Sequence, residues 1–156
     1  MQKGLSNIDF RPIGIVKSPV TKAVDDGWGG VVSEIHIDRS LEAGLEGLED
    51  FSHLMVVFFL HESVFDLETH LSRRPRGRLD MPVLGVFAQR ARHRPNAIGV
   101  TTVELLGVEN NKIKVRDLDA IDGTPILDIK PYLPAFDCRP NARIPTWVER
   151  LMEGYF

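Results

Sequence analysis

Cysteine is nearly absent from this sequence, which has 156 residues and a single cysteine, Cys138. A lone cysteine cannot form an intramolecular disulfide. The longest apolar run, residues 54–60, is far shorter than the roughly 20 residues of a membrane-spanning helix. The first residues also lack the apolar core of a secretory signal peptide. We therefore expect a cytoplasmic protein with no transmembrane segment.

Metal-binding and dinucleotide-binding patterns are absent as well. The five histidines show none of the paired spacings at which zinc ligands occur, so we expect no structural or catalytic metal. No Gly-x-Gly-x-x-Gly motif follows a predicted strand, which argues against a Rossmann-type nucleotide site. The histidines are His36, His53, His61, His70 and His93.

Acidic and basic residues nearly balance, and the formal net charge of −3 argues against a protein that coats nucleic acid indiscriminately. Residues 73–94 are nevertheless strongly basic, with seven arginines and one acid, Asp80. This concentration indicates a confined site for phosphate or carboxylate groups. A solvated loop whose arginines pair with acids elsewhere would have the same composition. The arginines are Arg73, Arg74, Arg76, Arg78, Arg90, Arg92 and Arg94.

The length fits one domain, and we take residues 1–156 as a single unit that ends in a helical C-terminal tail at 145–156. Alternating or short apolar runs between turn residues predict strands at 10–15, 31–37, 54–60, 83–88, 100–108, 113–115 and 124–130. We expect 54–60 to be a central strand buried on both faces, and 100–108 to form a hairpin with 113–115. The segment 65–81 is expected to be an irregular surface loop.

Helical signals are few. Leucines at helical spacing after Ser40, a candidate N-cap, predict a short helix from Leu41 to Leu48. Thr146 and Glu149 fit a capping box that would begin a final helix at 147–153. Many short strands with few helices predict a mainly β fold, a closed or nearly closed barrel with one or two peripheral helices.

Two polar loops interrupt the predicted strands. In the first, residues 85–100, Pro95 and Gly99 would hold the arginines and Asn96 in fixed directions, as a binding loop requires. A structural turn in which Asn96 bonds to its own backbone is the alternative. In the second, residues 117–134, Asp-Gly-Thr-Pro is equally compatible with a site and with an ordinary turn. Its four aspartates stand among apolar residues and need partners such as arginine or a ligand hydroxyl.

Four phrases, in family order and spread over residues 10–137, resemble the TrmO family, also known as YaeB-like or TsaA-like. They are Arg-Pro-Ile-Gly at 11–14, Gly-Leu-Glu-Gly-Leu-Glu-Asp-Phe-Ser-His-Leu at 44–54, Arg-Pro-Asn-Ala-Ile-Gly at 94–99, and Asp-Gly-Thr-Pro at 122–125 followed by Pro-Tyr-Leu-Pro at 131–134. The resemblance implies a single-sheeted β-barrel and a homodimer that binds S-adenosylmethionine near the subunit interface. It also implies methylation of the amine nitrogen of threonylcarbamoyl-adenosine beside the tRNA anticodon.

By motif, the resemblance assigns cofactor contacts to eight positions, and matches poorly at 21–25, where the family has a further contact. We expect Arg90 or a neighbouring arginine to bind the cofactor carboxylate, and Asp122 with the Gly123–Thr124 backbone to bind its polar edge. The proton acceptor is expected among Asp119, Asp122 and His61. The cofactor contacts are His61, Glu62, Arg90, Val100, Asp122, Gly123, Thr124 and Pro125. The expected RNA contacts are Arg73, Arg74, Arg76, Arg78, Arg92 and Arg94.

The bacterial enzyme that defines the activity continues into a further C-terminal domain, which we expect this sequence to lack. That departure bears on the RNA substrate more than on the cofactor. Two alternatives therefore stay open: an S-adenosylmethionine-binding regulatory or sensor module without catalysis, and a methyltransferase that acts on a small molecule.

Overall fold

Eight β-strands form the framework of the computed structural model, which describes residues 7–156. Their bounds are β1 (Gly14–Lys17), β2 (Val32–Ile37), β3 (His53–Phe59), β4 (Ser72–Arg73), β5 (Leu84–Gly85), β6 (Ile98–Glu109), β7 (Lys112–Arg116) and β8 (Pro125–Pro131). Six of them close into an antiparallel barrel in the order β1-β2-β7-β6-β3-β8, and β4 and β5 form a separate two-stranded sheet. Closure occurs where Gly14 pairs with Ile126. The predicted β-barrel is thus confirmed.

Alternation along the strands directs every second side chain into the barrel. In β2, Ser33, Ile35 and Ile37 are buried, while Glu34 and His36 are only partly covered. All six barrel strands contribute to one apolar core, which also contains two residues of the segment that follows β7. The core consists of Val16, Ile35, Ile37, Leu54, Val56, Phe58, Val103, Ile113, Val115, Leu118, Ala120 and Ile126.

The prediction that β3 is buried on both faces is wrong. Leu54, Val56 and Phe58 point into the core, but Phe59 is 42% exposed. A closed single-sheeted barrel has one interior, so even a central strand presents alternate side chains to the outside. The apolar outer face of β3 is therefore a surface feature.

Two of the predicted strands have different bounds in the structure. The first begins only at Gly14, after Pro12, which has no N–H to donate to a ladder. The segment 83–88 pairs over two residues only and then turns into a 3-10 helix. The other predicted strands agree with the structure to within two residues, and Asn110, at a φ of 53°, starts the tight turn of the predicted β6–β7 hairpin.

Helical segments are short and peripheral. The predicted helix at 41–48 is instead a pair of 3-10 segments separated by Gly47, whose φ is 82°, and its cap is Asp38, which accepts from the Ser40 N–H at 2.8 Å. The predicted capping box is wrong, because the last helix begins at Thr146 without any side-chain cap. Among residues 7–156, no helix has the length and apolar character needed to cross a bilayer. The helices are α1 (Leu67–His70), α2 (Pro134–Asp137) and α3 (Thr146–Met152), with 3-10 segments at Arg39–Leu45, Leu48–Asp50, Pro75–Gly77 and Val86–Ala88.

One rim of the barrel, which we call the mouth, collects both polar loops. The antiparallel order brings the carboxyl ends of β1, β3 and β7 and the amino ends of β2, β6 and β8 to this rim. β3 lies between β6 and β8, so Phe58 pairs with Gly99 on one side and with Ile126 on the other. The loops that precede β6 and β8 therefore meet at the same end of the barrel.

Candidate functional site

The Arg-Pro-Asn loop, residues 89–97, is fixed by two of its own side chains. Gln89 is buried, and its Nε2 donates at 2.8 Å to one main-chain carbonyl in β4 and one in β5. Arg94 Nη1 donates to the carbonyls of Gln89 and Ala91 at 3.1 and 3.3 Å. Asn96 is exposed, and its side chain makes no hydrogen bond within residues 7–156. The loop is thus ordered without the Asn96 self-bond that a simple structural turn would use.

Arg90 joins this loop to the barrel wall. Its Nη2 donates to the main-chain carbonyl of Val100 at 2.7 Å, while its side chain stays exposed. Val100 faces outward from β6 and is 37% exposed. Two of the predicted cofactor residues are therefore adjacent, at the edge of the mouth.

Asp119 lies on the segment that crosses the mouth after β7. Its neighbours Leu118 and Ala120 belong to the core, and Asp119 itself is partly buried. Its Oδ1 accepts from the Thr101 hydroxyl, and its Oδ2 accepts from the Tyr155 hydroxyl. A carboxylate with two hydroxyl donors is thus held next to the strand that carries Val100.

The Asp-Gly-Thr-Pro turn, residues 122–125, is tied to the end of β1. Gly123 has a φ of 82°, and Thr124 is buried. The N–H groups of residues 122, 123 and 124 donate to the carbonyls of Val20, Val16 and Ile121 respectively. The N–H groups of this turn are therefore already bonded within the protein. Asp122 remains partly exposed, and its Oδ1 accepts from the Ser18 N–H at 3.1 Å.

Within residues 7–156, none of the four aspartates of the second loop forms a salt bridge with an arginine. Besides Asp119 and Asp122, Asp117 accepts from the Gly30 N–H at 2.6 Å, and Asp128 lies 2.7 Å from the Lys130 ammonium. Asp117 has a φ of 68°, a left-handed conformation that aspartate tolerates. The carboxylates therefore find partners in backbone donors, hydroxyls and one lysine.

The predicted RNA-contacting arginines differ in the contacts that they already make within the protein. Arg74 Nη1 donates to the carbonyl of Met81, and Arg78 forms a two-bond pair with Asp80, at 3.0 and 2.7 Å. Arg76, whose φ is 52°, lies over the Tyr155 ring with its guanidinium carbon 5.6 Å from the ring centre.

The remaining three arginines of the set also differ. Arg92 is exposed, and its Nε lies 3.2 Å from His93 Nε2. Arg73 is partly buried, with an Nε that has no partner within residues 7–156. Because Arg94 is engaged within its own loop, Arg92 is the most accessible cation of this group.

The family model described as the tRNA-methyltransferase O N-terminal domain matches residues 25–138. The chain belongs to this TrmO family. The match includes both polar loops and all six barrel strands except β1.

Relatives and solved structures agree with this membership. An S-adenosyl-L-methionine-binding protein of Archaeoglobus fulgidus is 41% identical, over 83% of this chain and 92% of its own length. The tRNA (adenine(37)-N6)-methyltransferase of Escherichia coli is 38% identical, over 88% of this chain and 63% of its own length. The crystal structure of TrmO from Pseudomonas aeruginosa superposes with a TM-score of 0.75 at 30% identity, and the match covers 94% of this chain and 64% of that one. The chain thus spans less than two thirds of the Escherichia coli and Pseudomonas aeruginosa proteins.

His61 and Glu62, two further positions assigned by the TrmO resemblance, follow β3 in an exposed turn. The turn is bound to the Arg-Pro-Asn loop on both sides, because Leu60 N donates to the Ala97 carbonyl at 2.8 Å and Ser63 Oγ donates to the Arg92 carbonyl at 2.6 Å. All the predicted cofactor positions therefore lie around the mouth.

Two residues at the mouth, Thr101 and Tyr155, escape the sequence analysis. Thr101 is 8% exposed and occupies an inward position of β6, where the alternation favours an apolar residue. A polar residue at such a position is a signal that the sequence offers. Tyr155 follows the last helix with no pattern around it that points to Asp119. Only the folded chain reveals this contact.

A cavity of about 310 Å³ lies at the opposite rim. Apolar residues dominate its lining, which includes no charged side chain, so it lacks the groups that a nucleoside bearing a carboxylate requires. Residues 7–156 also contain no group of three or more His, Cys, Asp or Glu side chains that could hold a metal ion. The mouth remains the place where polar groups converge.

Proposed function

We propose that the protein binds S-adenosylmethionine at the mouth of the barrel and methylates the amine nitrogen of threonylcarbamoyl-adenosine beside the tRNA anticodon. The observation that carries this proposal is the convergence of the Arg-Pro-Asn loop, the Asp-Gly-Thr-Pro turn and Asp119 on one rim. The printed names of the Archaeoglobus fulgidus and Escherichia coli relatives support the cofactor and the reaction. A tRNA substrate would be met in the cytoplasm.

The side chains of the mouth fit the polar groups of this cofactor. Arg90 is an exposed cation suited to a carboxylate, and Val100 beside it offers apolar surface for a ring or thioether. Asp122 and Glu62 are accessible carboxylates suited to ribose hydroxyls or an ammonium group. The contacts proposed for the cofactor are His61, Glu62, Arg90, Val100, Asp122, Gly123, Thr124 and Pro125. For Gly123 and Thr124, we propose packing rather than N–H donation.

The bound sulfonium would supply a methyl group that is already activated for displacement, so the protein mainly needs to align the acceptor and exclude water. As the carbon–nitrogen bond forms, the acceptor nitrogen must lose a proton. Its positive charge makes that proton acidic, and a weakly basic carboxylate suffices to accept it.

We favour Asp119 over Asp122 and His61 as this proton acceptor. Asp119 is partly buried beside the mouth, with the hydroxyls of Thr101 and Tyr155 donating to its two oxygens. Asp122 is bound to the chain that follows β1, and His61 lies in an exposed turn. The substrate base would have to leave its RNA stack to reach Asp119.

Phosphates of the RNA would meet the arginines beside the mouth, Arg73, Arg74, Arg76, Arg78, Arg92 and Arg94. Because Arg74 and Arg94 bind main-chain carbonyls and Arg78 is neutralised by Asp80, we assign the main phosphate contact to Arg92. The predicted basic segment thus stays the proposed RNA surface, but most of its phosphate binding is assigned to one accessible side chain.

We also propose that the outer face of β3 and β6 is the homodimer interface. Phe59 and Ile98 are directly opposite each other and are 42% and 38% exposed, next to Val100 at 37%. A contiguous apolar patch of this kind indicates a protein interface. A second copy here would bring the subunit interface to the edge of the cofactor site, and Ile98→Asp should yield monomers in sedimentation. Ile15→Asp, at an equally exposed apolar position on β1, is the control.

The domain organisation completes this proposal. We propose that residues 145–156 act with the barrel as one functional unit, since Tyr155 reaches Asp119.

Incubation of the purified protein with radiolabelled S-adenosylmethionine and total tRNA tests the activity, with Asp119→Asn as a control of strongly reduced rate. Label in adenosine 37 of tRNA is the expected result. Cofactor binding by calorimetry without label transfer to tRNA would instead support the sensor alternative, which the Archaeoglobus fulgidus relative, named for binding alone, favours. Label transfer to small molecules only would support the third alternative.

A further inference from the structure

Residues 153–156 pack against the loop at 27–30, close to the mouth. Gly27 N donates to the Gly154 carbonyl at 3.0 Å, and Trp28 N donates to the Tyr155 carbonyl at 2.7 Å. A Cβ at Gly29 would lie 2.3 Å from the main chain of Phe156. This contact therefore depends on a glycine at position 29, and it brings the Tyr155 side chain to Asp119.

The Tyr155 side chain is held on two sides. Its hydroxyl donates to Asp119 Oδ2, and its ring lies under the Arg76 guanidinium. Burial, the charge of Asp119 and the hydrogen bond to Asp119 all raise the pKa of Tyr155 well above its ordinary value. The phenol is thus a neutral donor at physiological pH, and the carboxylate is its acceptor.

We propose that Tyr155 is a positioning residue that, together with Thr101, fixes the orientation of the Asp119 carboxylate towards the acceptor nitrogen. This inference rests on the proposed function, in which Asp119 accepts the proton. Thr101 and Tyr155 reach the two carboxylate oxygens from different parts of the chain, β6 and the 153–156 segment. Two donors of separate origin define the rotation of the carboxylate, which one donor would leave free to turn.

Tyr155→Phe separates this role from simple packing, because it removes the hydroxyl and keeps the ring. We expect kcat for methyl transfer to fall about 10-fold, the cost of a poorly oriented group, while the dissociation constant for S-adenosylmethionine changes less than about 2-fold. Tyr132→Phe is the matched control, since Tyr132 lies at the opposite rim and is the only other tyrosine.

The Asp119→Asn background tests whether Tyr155 acts through Asp119. If it does, Tyr155→Phe should have no further effect on the residual rate of Asp119→Asn, whereas independent roles would give multiplied losses. Multiplied losses, or a kcat for Tyr155→Phe equal to that of the wild type, would overturn the proposal.

A measurement without cofactor or RNA examines the contact itself. In Tyr132→Phe protein, Tyr155 is the only tyrosine, so ultraviolet absorbance reports its ionisation alone. Asp119→Asn in this background should lower the ionisation pH of Tyr155, because an anionic acceptor is replaced by a neutral one. An unchanged ionisation pH would refute the contact.

Gly29→Ala displaces the segment without altering Tyr155 or Asp119, and it should reproduce the kinetic effect of Tyr155→Phe. Gly44→Ala is its control, because a Cβ at Gly44 meets no atom within 4 Å. Normal kinetics in Gly29→Ala would count against the proposal. If the wild-type protein bound no S-adenosylmethionine, the proposed function and the positioning role would both fall, whereas normal wild-type activity with an unaffected Tyr155→Phe would remove only the positioning role.

Discussion

The Arg90 guanidinium donates a 2.7 Å hydrogen bond to the main-chain carbonyl of Val100. This bond joins the Arg-Pro-Asn loop to the wall of the barrel and leaves the rest of the guanidinium accessible at the mouth. Arginine has five N–H donors, so the remaining ones can bind a carboxylate while this bond persists. The contact thus fixes a cation in place before any ligand arrives.

Replacing Arg90 by alanine should weaken S-adenosylmethionine binding by about 10- to 100-fold, the range expected when a charged hydrogen-bond donor to a carboxylate is lost. Stability should change by less than about 1 kcal/mol, because Arg90 is exposed. Calorimetry measures the affinity of the wild type and of each variant for S-adenosylmethionine. Arg139→Ala is the control, since Arg139 is also exposed and donates to main-chain carbonyls, at 3.0 and 3.1 Å, but lies after α2. Equal losses in the two variants would contradict a specific role for Arg90.

Much of the barrel could be predicted from local patterns. β2 alternates cleanly, and the β6–β7 hairpin is marked by Asn110, because both features depend on neighbours within a few residues. The segment 83–88 has the same β-prone composition but finds a partner strand of only two residues, so it turns into a 3-10 helix instead. Pairing partners are set by the whole fold, and local propensity does not report them.

Gly99 packs its backbone against the ring of Phe58, and a Cβ there would lie 2.4 Å from that ring. We expect Gly99→Ala to destabilise the protein by about 1–3 kcal/mol, the usual cost of overpacking a core. Gly107→Ala, on the same strand but with no atom within 4 Å of the added Cβ, should change stability by only about 0.5 kcal/mol. Urea unfolding measures these differences.

The double variant Gly99→Ala/Phe58→Leu identifies the cause of that destabilisation. Leucine lacks the outer ring atoms that the added Cβ approaches, so the two substitutions together should cost less than the sum of their separate effects. Strict additivity would mean that the clash with Phe58 is not what destabilises Gly99→Ala.

Arg92→Ala should weaken tRNA binding at every ionic strength and reduce the slope of log affinity against log salt by about one, the value for one phosphate contact. Arg78→Ala should have a smaller effect, because Asp80 already neutralises that side chain. Filter binding across a salt series measures the slope, and Lys114→Ala on the barrel wall controls for net charge. A slope unchanged from the wild type in Arg92→Ala would remove Arg92 from the RNA surface.

The candidate site was only partly predictable. The motif resemblance assigned Arg90 and Asp122 to the cofactor, and the search for a proton acceptor added Asp119 as a candidate. It could not find that the N–H groups of Asp122 and Gly123 donate to carbonyls in and just after β1, about 100 residues earlier. Nor could it find Tyr155, whose partner is fixed by the path of the chain after α3. Contacts between distant segments leave no local trace in composition or spacing.

His93 provides a pH test of the loop beside the mouth. Burial, with smaller contributions from Arg92 and His70, lowers the pKa of His93 below its ordinary value of 6.5. Its Nδ1 accepts from the Val64 N–H at 3.1 Å, a bond that only an unprotonated Nδ1 can accept, and its ring stacks on His70 at 4.9 Å. The folded protein therefore holds His93 neutral.

Because the unfolded chain binds this proton at a higher pH than the folded one, stability should be complete above about pH 6.5 and should fall as the pH drops from there towards the folded-state pKa. His93→Gln should show a shallower decline of the urea midpoint between about pH 7 and pH 5, since its side chain does not titrate. His53→Gln, at the opposite rim, should retain the decline of the wild type. An identical decline in wild type and His93→Gln would mean that other groups carry the acid sensitivity of the fold.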